Sequence, residues 1–145
     1  MTISELTDKL SDAIAYAEGF FVTGSRSQRN NNPGDLTVDL TGTGIGFDGA
    51  FVIYATAYDG WDALKKQVFR MIDGSSAFYN PSMSILEIAM TYTSTQQETW
   101  ANNVASRLGV DIDATLNDLL DSPGTLIGGT AIVALLGLLY FMRRK

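Results

Sequence analysis

Residues 17–36 read AEGFFVTGSRSQRNNNPGDL, and in this stretch an amphipathic helix ends and a long polar turn begins. Apolar residues before it recur at the spacing of one helix face: Leu6, Leu10, Ile14 and Ala17. Gly19 is a residue type at which helices commonly stop, so Glu18 is expected at the C-terminal end of this first helix. The sequence NNNPGD at 30–35 is a dense turn signal. The domain is therefore expected to be organised around a helix that leads into an ordered polar turn.

The rest of the chain contains sequence signals for one short hairpin and for several further helices. Residues 36–40 and 50–55 alternate or run apolar, which predicts a short hairpin around a glycine-rich tip. Helix starts are expected at four places: Thr2 with Glu5, Asp59, Ser84 with Glu87, and Thr95 with Glu98. Gly109 is expected to end the last of these helices, and residues 115–120 to form a short final helix. This order predicts an α+β, mainly helical domain over residues 1–120, with a small β-element.

The composition excludes several kinds of active site. The chain has no histidine and no cysteine, so Ser-His-Asp triads, thiolate chemistry, disulfides and histidine-based zinc sites are excluded. An enzyme made from these residues would use carboxylates as its acid and base. Asp111 and Asp113 lack the other ligands of an EF-hand, and the glycines lack the Lys-Ser/Thr of a phosphate-binding loop. No metal and no cofactor are therefore expected.

Charge is distributed unevenly along the chain. The formal net charge is −6, and the basic tail at 143–145 contributes +3, so the remaining residues carry −9. Lys65, Lys66 and Arg70 come closest to a basic cluster, and they are interpreted as one solvated helix face. Nucleic acid is not expected as a partner, because phosphate contacts need clustered Lys and Arg.

Residues 125–142, TLIGGTAIVALLGLLYFM, predict one C-terminal transmembrane helix and a lipid bilayer as a partner. The segment has no charge and no proline, and its length is at the short end of the range that spans a bilayer. A turn-rich linker at 121–124 precedes it, Tyr140 lies where an interfacial aromatic belongs, and the basic tail follows. A buried core helix is the alternative, but such a helix normally has a polar face. Because basic residues stay on the cytoplasmic side, the acidic domain is expected on the other side.

Glu18 is the strongest candidate for chemistry. It follows an apolar helix face and precedes Gly19, Phe20 and Phe21. A carboxyl among aromatic side chains loses hydration, which raises its pKa and favours the protonated acid. A glycosidase needs that protonated form to donate a proton to the leaving oxygen. The alternative interpretation is a surface glutamate near a helix end.

These pieces, taken in order, resemble phage-associated lytic transglycosylase and lysozyme-like domains. The resemblance covers residues 13–110 and is carried by AEGF at 17–20, RNNNPGDL at 29–36, the segments 51–54 and 58–64, and Tyr92 with the helix residues 98–110. In that family a helix-ending Glu is followed by an asparagine-proline-glycine turn, and a later helix begins near a Gly-Trp pair. The resemblance implies a goose-lysozyme-like helical fold with a cleft beside a small β-element.

The resemblance also implies a reaction. It implies cleavage of peptidoglycan glycan strands between N-acetylmuramic acid and N-acetylglucosamine, with Glu18 acting first as acid and then as base. The muramyl 6-hydroxyl would replace water and leave a 1,6-anhydro end, so no second carboxylate is needed. A lysozyme-type hydrolase would need one, and Asp35, Asp39 and Asp48 lie in the plausible region.

Five residues are candidates for substrate binding: Asn31, Asn32, Tyr54, Tyr92 and Trp100. The asparagines offer donors and acceptors to sugar hydroxyls and acetamides, or to the turn itself. The aromatic rings suit either stacking on sugar rings or packing in the core. The resemblance predicts a Tyr in the last long helix where this chain has Trp100, which puts that wall of the cleft in doubt.

The expected setting follows from the anchor and the resemblance together. Residues 1–20 lack the basic start and apolar run of a secretory signal peptide, so the C-terminal anchor is expected to direct insertion. The expected location is the virion membrane of a phage, for genome entry through the cell wall. The alternative location is the host inner membrane with the domain outside the cytoplasm. Two other functions stay open: a non-catalytic structural or wall-binding virion protein, and a tail-anchored adaptor unconnected with the wall.

Overall fold

A computed structural model describes residues 1–121 of the chain. The elements in chain order are α1 (Ile3–Ala17), α2 (Arg26–Arg29), β1 (Gly44–Asp48), β2 (Phe51–Tyr54), α3 (Ala57–Asp73), α4 (Ile85–Tyr92), α5 (Gln97–Leu108) and α6 (Leu116–Leu119). The predicted α+β, mainly helical class is confirmed over these residues, with one antiparallel two-stranded sheet. The transmembrane helix predicted for 125–142 and the basic tail lie outside the described residues. Among the helices within residues 1–121, none combines the length and apolar character needed to cross a bilayer.

Helix α1 supplies the middle of the core. The predicted capping box forms at its start, where the Glu5 amide donates to the Thr2 hydroxyl at 3.1 Å and the Thr2 amide donates to the Glu5 carboxylate at 2.9 Å. The apolar face packs against α3 and α5. Leu6, Leu10 and Ile14 on that face are at most 1% exposed, so α1 is held rigidly by burial on two sides.

The C-terminal end of α1 determines where Glu18 lies. Gly19 adopts a left-handed conformation with φ of +78°, and its amide donates to the carbonyl of Tyr16 at 3.1 Å. The Phe20 amide donates to the carbonyl of Ala15 at 2.9 Å, which completes a Schellman motif. Glu18 is therefore the C-cap residue, as predicted, and its backbone is fixed to the last turn of the core helix.

The hairpin is formed by β1 and β2, so the prediction that residues 36–40 form its first strand is wrong. The Asp39 carboxylate accepts hydrogen bonds from the amides of Gly42 and Gly44, each at 3.0 Å, and this turns the chain before the strand begins. The glycine-rich residues consequently lie in β1, which pairs antiparallel with β2. Apolar alternation does not reveal this arrangement, because a side chain that bonds nearby backbone amides competes with strand pairing.

The other sequence-predicted boundaries near α3, α4 and α6 are close to the observed ones. Helix α3 is capped by Thr56, whose hydroxyl accepts a hydrogen bond from the Asp59 amide at 3.1 Å, so Asp59 lies in the first turn and not at the cap. The capping box of Ser84 and Glu87 forms at the start of α4. Gly109 ends α5 with φ of +75°, and α6 is the predicted short final helix.

Helix α5 begins differently from the prediction. The capping box expected from Thr95 and Glu98 does not form, and the N-cap residue is Gln96, in a left-handed conformation with φ of +52° and without a side-chain cap. The Gln97 side chain instead donates to the carbonyl of Thr93 at 3.0 Å. The start of α5 is thus held by the end of α4, a tertiary constraint that overrides the local capping preference.

The polar turn, residues 30–35, is fixed to β2 by its asparagines. The Asn32 side chain is fully buried, donates to two backbone carbonyls at 3.0 and 2.8 Å, and accepts a hydrogen bond from a backbone amide at 2.9 Å. The Asn31 side chain donates to the carbonyl of Tyr54 in β2 at 3.0 Å. Each asparagine amide therefore replaces a strand-like hydrogen bond, and the turn is as rigid as the sheet beside it.

Helix α3 contacts the polar turn at Gly60. A Cβ atom at this position would lie 1.8 Å from the carbonyl oxygen of Asn31 and 2.8 Å from Cδ of Pro33. Only glycine permits this approach of two backbones. This contact packs the polar turn, which contains Asp35, directly against the long helix α3.

Candidate active site

A cavity of about 500 Å³ opens beside the C-terminal end of α1. It is lined by three charged side chains, those of Glu18, Arg26 and Asp35. Hydroxyl side chains from the end of α4 and the connection to α5 also line it: Thr91, Thr93, Ser94 and Thr95. A concave site of this size with a few convergent charged groups is the usual form of a small-ligand or catalytic site.

Glu18 is the carboxyl of this cavity whose pKa is raised. Burial raises the pKa of its carboxyl from 4.5 to about 7. The nearby carboxylate of Asp35 raises this pKa further, whereas the indole of Trp100 and the charge of Arg26 partly offset the rise. Glu18 is therefore populated both as acid and as carboxylate near neutral pH, which is the range in which one group gives and takes a proton efficiently.

Trp100 holds the Glu18 carboxyl in place. The indole N–H donates to Oε2 of Glu18 at 2.8 Å, and Trp100 is only 6% exposed. One face of the indole stacks on the Tyr92 ring, with 4.9 Å between ring centroids. The Tyr92 hydroxyl in turn donates to the carbonyl of Gly34 in the polar turn at 2.8 Å. Because an indole N–H can only donate, Oε2 acts as acceptor and the proton of the neutral acid belongs on Oε1.

This contact predicts a specific effect of replacing Trp100 by phenylalanine. The variant loses the hydrogen bond that favours ionised Glu18, so the pKa of Glu18 rises and the high-pH limit of any activity moves to higher pH. We also expect the maximal rate to fall about tenfold, because the carboxyl is no longer oriented. The pH profile of kcat measures both effects, and Trp61→Phe is the matched control, since Trp61 packs on Phe20. A rate lowered equally at every pH would show that Trp100 acts only by packing.

Asp35 and Arg26 form an ion pair at the cavity. The Nε atom of Arg26 donates to Oδ2 of Asp35 at 3.2 Å, and the guanidinium lies over the Phe51 ring at 3.6 Å from its centroid. Asp35 is 8% exposed and has a left-handed backbone with φ of +49°. Such a conformation costs some free energy in a residue other than glycine, and Asp and Asn adopt it more readily than most residue types. The polar turn thus holds a second carboxylate near Glu18.

The other two candidates for a second carboxylate do not line this cavity. Asp39 accepts the two glycine amides at the base of the hairpin. Asp48 is exposed at the end of β1 and accepts a hydrogen bond from the Asn30 side chain at 3.2 Å. Of the three aspartates left open by the sequence, Asp35 is therefore the one that the fold brings to Glu18.

The five predicted binding residues separate into two groups. Tyr92 lines the cavity, whereas Trp100 is 6% exposed, packs on Tyr92 and donates a hydrogen bond to Glu18, so of its two interpretations packing is the one that this structure shows. Asn32 and Tyr54 are 0% and 1% exposed, and this burial contradicts direct sugar contact for both. Asn31 uses its amide on the backbone of β2, and its side chain is not part of the cavity wall.

Several cavity residues were missed by the sequence analysis. Arg26 belongs to α2, a helix of four residues that is too short to show a periodic pattern. Thr93, Ser94 and Thr95 have the composition of an ordinary loop, and Gln67 lies on α3 among other polar residues. The spacing of Ser25 and Gln28 is the one available signal, because the Ser25 hydroxyl accepts the Gln28 amide at 3.2 Å as the cap of α2.

Comparison with known proteins does not assign the chain to a family. No protein-family model, no curated protein and no solved structure matches the chain. Over residues 1–121, no group of three or more carboxylates is arranged to hold a metal ion. What the site can do chemically therefore follows from its own residues, which offer proton transfer by one carboxyl beside an ion-paired second carboxylate.

Proposed function

We propose that this protein is a peptidoglycan-cleaving lytic transglycosylase that acts on the glycosidic bond between N-acetylmuramic acid and N-acetylglucosamine. The observation that carries the proposal is the Glu18 carboxyl, which lies in an open cavity with its pKa raised to about 7. The chain has no histidine or cysteine, so carboxylates are its natural acid and base. The order of motifs around Glu18, which resembles lytic transglycosylases, supplies the substrate class.

In the proposed reaction Glu18 acts twice. The neutral carboxyl donates the proton on Oε1 to the glycosidic oxygen, and the bond to the muramyl anomeric carbon breaks. The ionised Glu18 then removes a proton from the muramyl 6-hydroxyl, whose oxygen forms the new bond to the same carbon. The 1,6-anhydro product carries no added water, and Glu18 recovers its proton. Trp100 keeps Oε2 in place throughout, and the negative charge of Asp35 favours the positive charge that develops on the sugar.

A lysozyme-type hydrolase is the second candidate, and one observation favours it. Asp35 lies near enough to Glu18 to raise the pKa of the Glu18 carboxyl, and a second carboxylate beside the acid is what two-carboxylate glycosidases use. In that reaction Asp35 would act as nucleophile or as the base for a water molecule. Its ion pair with Arg26 would hold the carboxylate in position.

The substitution Asp35→Asn separates the two reactions. Removing this charge lowers the pKa of Glu18, so the high-pH limit of activity is expected to shift to lower pH. A transglycosylase should keep its 1,6-anhydro products with a moderate loss of rate, whereas a hydrolase should lose nearly all activity. Asp39→Asn is the control, because Asp39 supports the hairpin outside the cavity. An unchanged pH profile in Asp35→Asn would contradict the coupling between the two carboxyls.

The membrane segment predicted for 125–142 gives this activity a location. A tethered wall-cleaving enzyme acts only where its membrane meets the wall, and a local opening of that kind would serve genome entry by a membrane-containing phage. We therefore propose a single-pass C-terminal anchor in such a virion membrane, with the host inner membrane as the alternative. The protein should be present in virions purified free of host envelope, and its absence from them would contradict this setting.

The experiment that tests the activity is a mass-spectrometric digest of purified peptidoglycan by the full-length protein in detergent. Products with 1,6-anhydro ends support a lytic transglycosylase. Reducing-end products support a hydrolase that uses Asp35. Binding to peptidoglycan without any product would favour the non-catalytic, wall-binding alternative, and the absence of both binding and product would favour an adaptor unconnected with the wall.

A further inference from the structure

A second groove adjoins the cavity that contains Glu18. Its volume is about 470 Å³. The two spaces share five lining residues, which lie just after the polar turn, on α3 and α4, and in the connection between these two helices: Leu36, Thr37, Gln67, Tyr79 and Thr91. A branched ligand bound at Glu18 can therefore extend into the second groove without leaving the protein surface.

The second groove has an apolar rim that is not buried by the fold. Val38 is 58% exposed and Phe78 is 69% exposed, and both line the groove. Phe78 is held in this position, because the Ser76 hydroxyl accepts hydrogen bonds from the amides of Phe78 and Tyr79 at 3.1 and 3.2 Å. Exposed apolar side chains held by local hydrogen bonds are suited to contact with a ligand.

Arg70 gives the second groove a positive charge. It is half-buried on α3, where it lines the groove, and it forms no ion pair within residues 1–121. Arg26 and Arg107, by contrast, pair with aspartates. Asp73 on the next turn of α3 has a lowered pKa, chiefly because of its hydrogen bonds with Ser75, whose amide donates to it at 2.8 Å, and to a smaller extent because of the charge of Arg70. In a strongly acidic chain, a half-buried arginine that lines a groove and forms no ion pair within residues 1–121 is suited to bind an anion from outside.

From these features we infer that the second groove binds a short peptide branch with a free carboxylate, joined to the glycan that occupies the Glu18 cavity. This inference rests on the proposed function, since the glycan strands of peptidoglycan carry such branches. The guanidinium of Arg70 binds the carboxylate, and the rim of Val38 and Phe78 contacts small apolar side chains of the peptide. A peptide fits better than a further sugar ring, because the exposed rim of Val38 and Phe78 suits apolar side chains better than sugar hydroxyls. Arg70, which the sequence grouped with a solvated helix face, is thus a specificity residue.

The binding test uses the full-length protein in detergent and two synthetic probes. One is an N-acetylated acidic tripeptide with a free C-terminal carboxylate, and the other is the same tripeptide with a C-terminal amide. We expect the carboxylate probe to bind about tenfold more tightly than the amide, and Arg70→Gln to remove that difference. Lys66→Gln is the control, because Lys66 is an exposed cation on the same helix that does not line the groove. The inference is overturned if neither probe binds, if both bind equally, or if Arg70→Gln keeps the preference.

A cleavage test then separates this inference from the proposed function. The test compares two substrates for the wild type and for Arg70→Gln. One substrate is glycan strands with their peptide branches, and the other is the same strands after the peptides have been removed. The expected result is a several-fold rise in KM of Arg70→Gln for the branched strands only, with kcat unchanged. Equal KM changes on both substrates would overturn the inference. If Arg70 binds the peptide but neither substrate is cleaved, the proposed function is contradicted, whereas the assignment of the second groove as a peptide-binding site stands.

Discussion

Replacing Glu18 by glutamine is expected to lower peptidoglycan cleavage by about 10²–10⁴-fold, because the variant has no proton to give to the leaving oxygen. Glutamine has nearly the same shape, and its side-chain oxygen can still accept the hydrogen bond from Trp100. The loss would therefore report the missing acid and not a collapsed cavity. The measurement is the initial rate of product formation from purified peptidoglycan, followed by mass spectrometry.

Stability measurements provide the control for this variant. In the unfolded chain Glu18 ionises near 4.5, and in the folded protein near 7, so below pH 4.5 both states hold the proton and the substitution should change little. As the pH rises towards 7 the unfolded state loses its proton first, which destabilises the wild-type fold. Above pH 7 we expect Glu18→Gln to be more stable by about 3 kcal/mol. Denaturant unfolding at pH 4 and pH 8 measures the difference.

A matched variant distinguishes this effect from the general loss of a negative charge. Glu98 is an exposed glutamate near the start of α5, and Glu98→Gln should leave both the rate and the unfolding free energy nearly unchanged. If Glu18→Gln cleaves peptidoglycan at the wild-type rate, Glu18 is not the acid. If Glu18→Gln is less stable than the wild type at pH 8, burial does not destabilise the ionised Glu18 carboxyl, and burial is then not the cause of the raised pKa of Glu18.

The substitution Gly60→Ala is expected to have the largest effect on stability. The new methyl group would lie 1.8 Å from the carbonyl oxygen of Asn31, a contact between two backbones that no change of rotamer relieves. Relief requires α3 and the polar turn to separate, and we expect a loss of about 3 kcal/mol or more. Thermal unfolding should show a fall in Tm of about 10 °C or more. Because the same turn carries Asp35, cleavage activity should fall even below the new Tm.

The control for Gly60→Ala is another glycine whose neighbours leave room. A Cβ atom at Gly46 in β1 would have no heavy atom within 4 Å, and Gly46 has no left-handed backbone. Gly46→Ala should therefore change stability by less than about 1 kcal/mol. Equal unfolding midpoints for the two variants would show that the contact between α3 and the polar turn is not tight, and that the turn is held by its asparagines alone.

Local signals in the sequence determined much of the helical framework. Thr2 with Glu5 and Ser84 with Glu87 cap the helices that their spacing predicts. Gly19 and Gly109 end helices where a left-handed residue is needed. Each of these features depends on hydrogen bonds between residues only a few positions apart, so the information is contained in a short stretch of chain.

The arrangement around Glu18 was only partly visible in the sequence. Its place at the helix end and its aromatic surroundings predicted a raised pKa, and the structure agrees. The donor that orients it, Trp100, is 82 residues away, and the sequence leaves its side chain open between stacking on a sugar ring and packing in the core. The sequence also does not show that Asp35 lines the cavity whereas Asp39 and Asp48 do not, because this depends on how the polar turn and the hairpin pack against α1.

The sequence by itself thus determined the class of the domain, several of the capped helices, and the place of Glu18 at the end of α1. The tertiary structure decided which groups surround that acid, that the asparagines of the polar turn support the fold, and that Arg70 lines a groove. The physical reason is the range of the interactions. Caps and helix ends depend on residues a few positions apart. Burial, desolvation and the pairing of distant side chains depend instead on how α1, α3 and α5 pack. No short segment of the sequence encodes that packing.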